Sequence, residues 1–139
     1  MTEDPNRLFG AEHVRRYRET DGAVGHRWRG ATILLLTTTG RTSGEPRTVP
    51  LIFDRDGDRL IIVASKGGAP QHPHWYRNLV ATPDVEVQVR DATRRVRART
   101  AEGDERVRLW KLMTQMWPSY DEYQARTERT IPVVVLEPV

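Results

Sequence analysis

Residues 31–53 constrain the fold most, because two apolar, β-branched runs are separated there by a short glycine-bounded break. Thr32 to Thr39 reads as a strand, Gly40 to Gly44 as a loop, and Thr48 to Phe53 as a returning strand. The loop sets Arg41 and Arg47 on either side of Thr42, Ser43 and Gly44. Small residues leave backbone N–H groups uncovered, and such groups in a turn form a concave anion site. Guanidiniums beside it add charge-assisted, bidentate bonds. A solvated hairpin tip with two incidental arginines has the same sequence, so the loop alone leaves both readings open.

The strand-and-turn pattern recurs along the chain. Asp56-Gly57, between Leu51–Phe53 and Leu60–Ala64, predicts a second hairpin. Val85, Val87 and Val89 alternate with polar residues, and Val96, Ala98 and Thr100 alternate with arginines. Joined by a turn at 91–94, these predict a third hairpin with one buried face. Ile131 to Glu137 forms a last strand. Helices are expected at 6–20, from Pro73 to before Pro83, at 105–117, and from a Ser119/Glu122 capping box to about Arg126. Phe9, His13, Val14 and Tyr17 form the apolar side of the first, Trp75 and Leu79 of the second, and Val107, Trp110, Met113 and Trp117 of the third. The order predicts a single α+β, mainly β domain over 1–139, with a nearly closed antiparallel barrel and surrounding helices.

Composition narrows function by exclusion. A chain of 139 residues has room for one core, and without cysteine it has neither disulfides nor a thiolate nucleophile. The net charge of +3 is mostly arginine spread along the chain, with no finger or helix-turn-helix, so no nucleic-acid partner is expected. An anionic small molecule fits the same charge. Rossmann, Walker and nucleophile-elbow motifs are absent from the sequence. The apolar runs are too short for a bilayer and no secretory pattern opens the chain, so a cytoplasmic location is expected. The basic N-terminal helix keeps peripheral membrane contact as an option. His72 and His74 have no carboxylate or third histidine near them in sequence, so no metal site is expected. Ser65-Lys-Gly-Gly68, at the end of a strand, is a second place where backbone and ligand approach closely.

Five segments stand in one order: Leu36–Arg47, Ala64–Gly68, His74–Leu79, Trp117–Tyr123 and Arg129–Pro132. Together they resemble the deazaflavin (coenzyme F420)-dependent nitroreductase family of actinobacteria, over roughly Gly30 to Pro138. The resemblance implies a split β-barrel that holds reduced F420 as hydride donor. It implies a small-molecule acceptor, a quinone or a nitroaromatic, and leaves a homodimer among the options. That cofactor's tail carries a phosphodiester and glutamates, which gives the basic loop a partner of matching charge.

Carried over residue by residue, the resemblance makes Arg41, Thr42, Ser43, Gly44 and Arg47 the tail-binding loop. Pro50, Ala64, Ser65, Lys66 and Gly67 come close to the phosphate or ring, and Trp75 and Asn78 support the cofactor groove. Ser65, Tyr120 and Tyr123 are the implied catalytic group, the tyrosines walling the acceptor site. Thr42 stands where relatives often carry lysine, and Trp117 and Ile52 stand where nitroimidazole-reducing members place tyrosines. Split barrels also hold FMN, so an FMN-dependent oxidoreductase is the alternative enzyme. A non-catalytic F420 carrier is the alternative from another class.

Overall fold

The computed structural model describes residues 4–139. Eight strands follow one another: β1 (Arg27–Trp28), β2 (Ala31–Thr39), β3 (Pro46–Ile52), β4 (Asp54–Asp56), β5 (Arg59–Val63), β6 (Asp84–Val89), β7 (Ala92–Thr100) and β8 (Val133–Pro138). All pairings are antiparallel, in the order β1-β2-β6-β7-β8-β5-β4, with β3 on β2. The sheet curls into a split barrel. Four helices surround it: α1 (Gly10–Glu19), α2 (His74–Ala81), α3 (Gly103–Met116) and α4 (Ser119–Ala125).

The unbroken apolar runs have a direct cause. In β2, Leu34 and Leu36 enter the barrel with Ile62, Val87 and Val134, while Ile33 and Leu35 meet Val14 and Tyr17 of α1. In β5 and β8, Ile61, Val133 and Val135 turn outward onto Leu109 and Met113 of α3. A strand covered on both faces cannot alternate with polar residues. Each such side chain contributes about 1.5–3 kcal/mol by burial. β6 and β7 are covered on one face only, and they keep the alternation.

Several boundaries differ from the sequence reading. The first helix begins at Gly10, after a 3-10 turn at Pro5–Arg7, and Phe9 is 72% exposed while His13, Val14 and Tyr17 are buried. β3 begins at Pro46, paired with Thr39. The second hairpin joins β4 to β5, with Asp56 opposite Arg59, so its turn is Gly57-Asp58 and not Asp56-Gly57. The third turns at Arg90-Asp91, not 91–94, because Val89 pairs with Ala92. Arg90 takes a positive φ of 56° there, and its N–H donates to the Tyr17 hydroxyl at 2.8 Å. On α3, Val107 is 53% exposed and Leu109 holds the core position. The Ser119 capping box does not form: Pro118 is the cap residue, no side chain caps the helix, and Ser119 is its first residue.

An ion-pair network fixes α3 on the sheet. Asp56 binds Arg59 and Arg108, and Glu105 binds Arg59 and Arg99, which also reaches Glu137. The bonds from Arg108 and then Arg59 hold the Asp56 carboxyl at about 2. Those from Arg99 and then Arg59 hold Glu105 at about 2. A carboxylate whose pKa is depressed by folding stabilises the fold fully above its unfolded value of about 4, and that stabilisation is lost as pH falls toward 2. The melting temperature should therefore fall between about pH 4.5 and 2. Glu105→Gln should flatten part of that fall in a thermal-melt series; an unchanged slope would mean the network adds nothing.

Candidate functional site

The barrel strands, the loop after β5 and the two C-terminal helices enclose a cavity of about 430 Å³. That suits a drug-sized or cofactor-sized ligand. One wall is β3, through Val49, Pro50, Leu51 and Ile52. Facing it are Ser65, Lys66 and Gly67, then Pro73 and Trp75 at the start of α2. Trp117, Tyr120 and Tyr123 close the side formed by α3 and α4, and Leu8, Phe9, His13 and Trp28 close the N-terminal side.

The loop after β5 has the geometry of an anion nest. Ser65 is right-handed helical (φ −78°, ψ −41°), and Lys66, Gly67 and Gly68 follow at φ 45°, 62° and 83°. A right-handed residue followed by a left-handed one turns successive N–H groups to one side. The N–H groups of Gly68 and Ala69 are taken by the carbonyls of Ser65 and Lys66. Those of Lys66 and Gly67 take no part in such bonds among the described residues. Gly68 also lies against α4, where an added Cβ would stand 2.5 Å from the Tyr123 carbonyl oxygen.

The basic loop lies outside the cavity, beyond the first turn of α2. Arg41 donates to the Asn78 side-chain oxygen from its N–H at 3.2 Å and its guanidinium at 2.8 Å, and it reaches the His74 Nδ1 at 3.2 Å. Asn78 is buried and donates its own amide to Thr38 at 3.2 Å, so its side chain braces Arg41 from within. Thr42, Ser43 and Gly44 are exposed. Arg47 is exposed too, with its nearest carboxylate, Glu45, at 4.0 Å. It stands two residues before Val49, about 7 Å along an extended strand. Of the expected site, Pro50, Ser65, Lys66, Gly67, Trp75, Tyr120 and Tyr123 thus meet around the cavity. Arg41 to Gly44, Arg47 and Asn78 form a separate basic rim, and Ala64 is sealed in the core.

Tyr120 is only 4% exposed, packed with Met113, Ile131 and Val133 and edge-on to Tyr123 at 6.1 Å. Its hydroxyl has no hydrogen-bond partner among the described residues and is not sealed off, since the ring lines the cavity. Burial pushes that hydroxyl upward, so it stays protonated and can donate. The Tyr123 hydroxyl accepts from the Trp117 indole at 3.4 Å.

Sequence reasoning missed the N-terminal wall. Trp28 stacks on Trp117 at 5.9 Å and donates to the Leu8 carbonyl at 3.0 Å. Its one sequence signal was a lone tryptophan in a polar connector. His72 and His74 turn to different partners: Arg129 lies 3.0 Å from one Nδ1 and Arg41 3.2 Å from the other. Among the described residues no group of three potential metal ligands forms. A more open groove of about 520 Å³ runs along α3, where Asp56 and Arg108 pair with each other.

The split barrel thus carries an apolar slot with the Ser65–Gly68 turn on its wall and the arginine loop beyond it. The chain belongs to the F420H(2)-dependent quinone reductase family, whose model matches residues 9–138. It is 47% identical over 128 residues to an F420H(2)-dependent quinone reductase of Mycobacterium tuberculosis, covering 89% of this chain and 86% of that protein. A solved F420-H2 dependent reductase is 46% identical, with a TM-score of 0.71, over 78% of this chain and 95% of that one. Another solved structure, described as a domain-swapped dimer, is 43% identical with a TM-score of 0.73, over 89% and 96%.

Proposed function

We propose that the cavity takes the ring end of reduced F420 together with a quinone, and that the rim of Arg41 and Arg47 takes the cofactor's acidic tail. As a family member the chain is an F420H2-dependent reductase. The observation that carries the placement is the division made by α2: Pro73 and Trp75 line the cavity, while His74 between them turns to Arg41. A ligand with a flat end and a charged end fits across that turn.

The donor set suits such a group. Free N–H groups at Lys66 and Gly67 and the Lys66 ammonium meet an anion, and two guanidiniums on the rim meet the tail. When bound, the reduced cofactor supplies the hydride. The chain's own residues orient the acceptor and stabilise negative charge arriving on its oxygen. Ser65 and Tyr120 on the cavity wall are the donors for that charge, and fixed donors in a dry site are worth far more than in water. Trp28, Trp117 and Trp75 exclude water around them. Quinones come ahead of nitroaromatics because Trp117 and Ile52 line the cavity at the two positions where the resemblance places tyrosines in nitroimidazole-reducing members.

A homodimer is part of the proposal, by likeness to the domain-swapped relative. Membrane contact is not, since α1 turns His13, Val14 and Tyr17 into its own domain. No helix among the described residues is long and apolar enough to cross a membrane.

The test is a titration of Arg41→Ala and Arg47→Ala with F420. A hydrogen bond to a charged group contributes about 1.5–3 kcal/mol, so each variant should bind roughly tenfold to a hundredfold more weakly. Screening of exposed charges favours the lower end. The loss should shrink for a cofactor without glutamates. Unchanged affinity in both folded variants would make the loop an ordinary hairpin tip.

A further inference from the structure

Arg129, behind the cavity wall, binds one loop through three backbone carbonyls. Its Nε donates to the Ala69 carbonyl at 2.8 Å, its Nη1 to Ala64 at 3.2 Å and its Nη2 to Ser65 at 2.7 Å. Nη1 also lies 3.0 Å from the His72 Nδ1. A guanidinium has no acceptor, so His72 receives this bond on an unprotonated nitrogen. No carboxylate pairs with Arg129 among the described residues. The three carbonyls belong to residues on both sides of the Lys66–Gly68 turn. Lys66 and Gly67, between the held residues, line the cavity. Arg129 does not line the cavity itself.

We propose that Arg129 is a positioning residue for the cofactor: it clamps the Ala64–Ala69 loop so that its N–H groups face the bound anion, and it leaves its own positive charge uncompensated behind them. The inference rests on the placement of the cofactor at this loop. A planar guanidinium reaches three carbonyls from three fixed nitrogens, which the single nitrogen of a lysine cannot do. The His72 imidazole, whose protonation is disfavoured by burial and then by the charges of Arg129 and Arg77, completes the clamp from the segment before α2.

Four proteins decide the matter: the wild type, Arg129→Gln, Arg129→Lys and Gly67→Pro, each measured for F420 affinity by fluorescence, for quinone KM and for melting temperature. Gly67→Pro removes the N–H of a cavity-lining residue and cannot adopt the φ of 62°. Arg129→Gln should bind F420 at least about tenfold more weakly, with the quinone KM within about twofold of wild type. Arg129→Lys keeps the charge and loses the three-way grip, so its loss should be intermediate, about threefold or more. A merely structural arginine would instead lower cofactor and quinone affinity together with the melting temperature. Should Arg129→Gln not fold, the lysine variant alone decides, and wild-type F420 affinity there would overturn the proposal. Weak F420 binding by Gly67→Pro beside full affinity in both Arg129 variants would also overturn it, leaving the cofactor placement intact. Full affinity in Gly67→Pro would instead overturn the placement and the clamp with it.

Discussion

Gly68→Ala is expected to lower the melting temperature sharply and to weaken F420 binding at least about tenfold, because two independent penalties fall on one methyl group. The first is conformational. Gly68 has φ +83°, and a side chain in the left-handed region costs about 1–2 kcal/mol. The second is steric. The new Cβ would meet the Tyr123 carbonyl oxygen at 2.5 Å and its Cα at 3.0 Å, and these are backbone atoms that no rotamer change removes. Overpacking of a filled site costs about 1–3 kcal/mol more. The strain is relieved by separating the loop from α4, and that moves Lys66 and Gly67 away from Tyr123 across the cavity. Gly67→Ala is the control: its φ of +62° carries the same conformational cost, but nothing lies within 4 Å of its Cβ. Thermal melts of the pair separate the two penalties. Equal melting temperatures for both variants would show that the contact with α4 yields freely.

That contact also marks where the sequence was informative and where it was not. Period and turn chemistry made β2, β3, β6 and β7 legible, because Leu34 and Leu36 or Val85 and Val87 repeat at the spacing of a pleat. The turn at Arg90 was not legible. Nothing in an arginine announces a positive φ, and the bond that holds it comes from Tyr17, 73 residues earlier. The capping box failed for a similar reason: Pro118 stands directly before Ser119 and occupies the cap position itself. On α3, the expected line of Val107, Trp110, Met113 and Trp117 held except at Val107, which is exposed while Leu109 takes the buried place. Only the position of β5 and β8 decides that Leu109 is inside.

The site divided along the same line. The Arg41 loop and the Ser65–Gly68 turn are local features, and local composition showed them. The bracing of Arg41 by Asn78, the clamp of Arg129 and the stack of Trp28 on Trp117 join residues 37, 64 and 89 positions apart, counting from Arg41 to Asn78, Ser65 to Arg129 and Trp28 to Trp117. No spacing rule reaches that far. The burial of Tyr120 belongs with these: the sequence placed it on a helix face beside Tyr123, and tertiary packing sank one ring and left the other half-exposed.

That burial makes Tyr120 two experiments in one residue. Tyr120→Ala removes a ring packed against Met113, Ile131 and Trp110, and large aromatic truncations of this kind cost about 3–5 kcal/mol. That variant should unfold near working temperature and say nothing about catalysis. Tyr120→Phe keeps the ring and takes only a hydroxyl that has no protein partner among the described residues. Its melting temperature should hold, since no hydrogen bond within the protein is broken and the hydroxyl faces the cavity. F420 affinity should change less than about twofold, because in the proposed placement the tail and the anion are held by Arg41, Arg47 and the Ser65–Gly68 loop and not by this hydroxyl. Quinone turnover is where the loss should fall. Removing one oriented donor to a developing oxyanion typically lowers turnover about 10²–10³-fold, and Ser65 and the loop N–H groups remain to carry the residual rate. Because burial holds the tyrosine hydroxyl protonated, the wild-type and Tyr120→Phe rates should keep a constant ratio between pH 6 and 9, a window chosen well below that ionisation. Wild-type turnover in a Tyr120→Phe protein that melts and binds F420 normally would remove the hydroxyl from the mechanism and leave Ser65 as the side-chain donor.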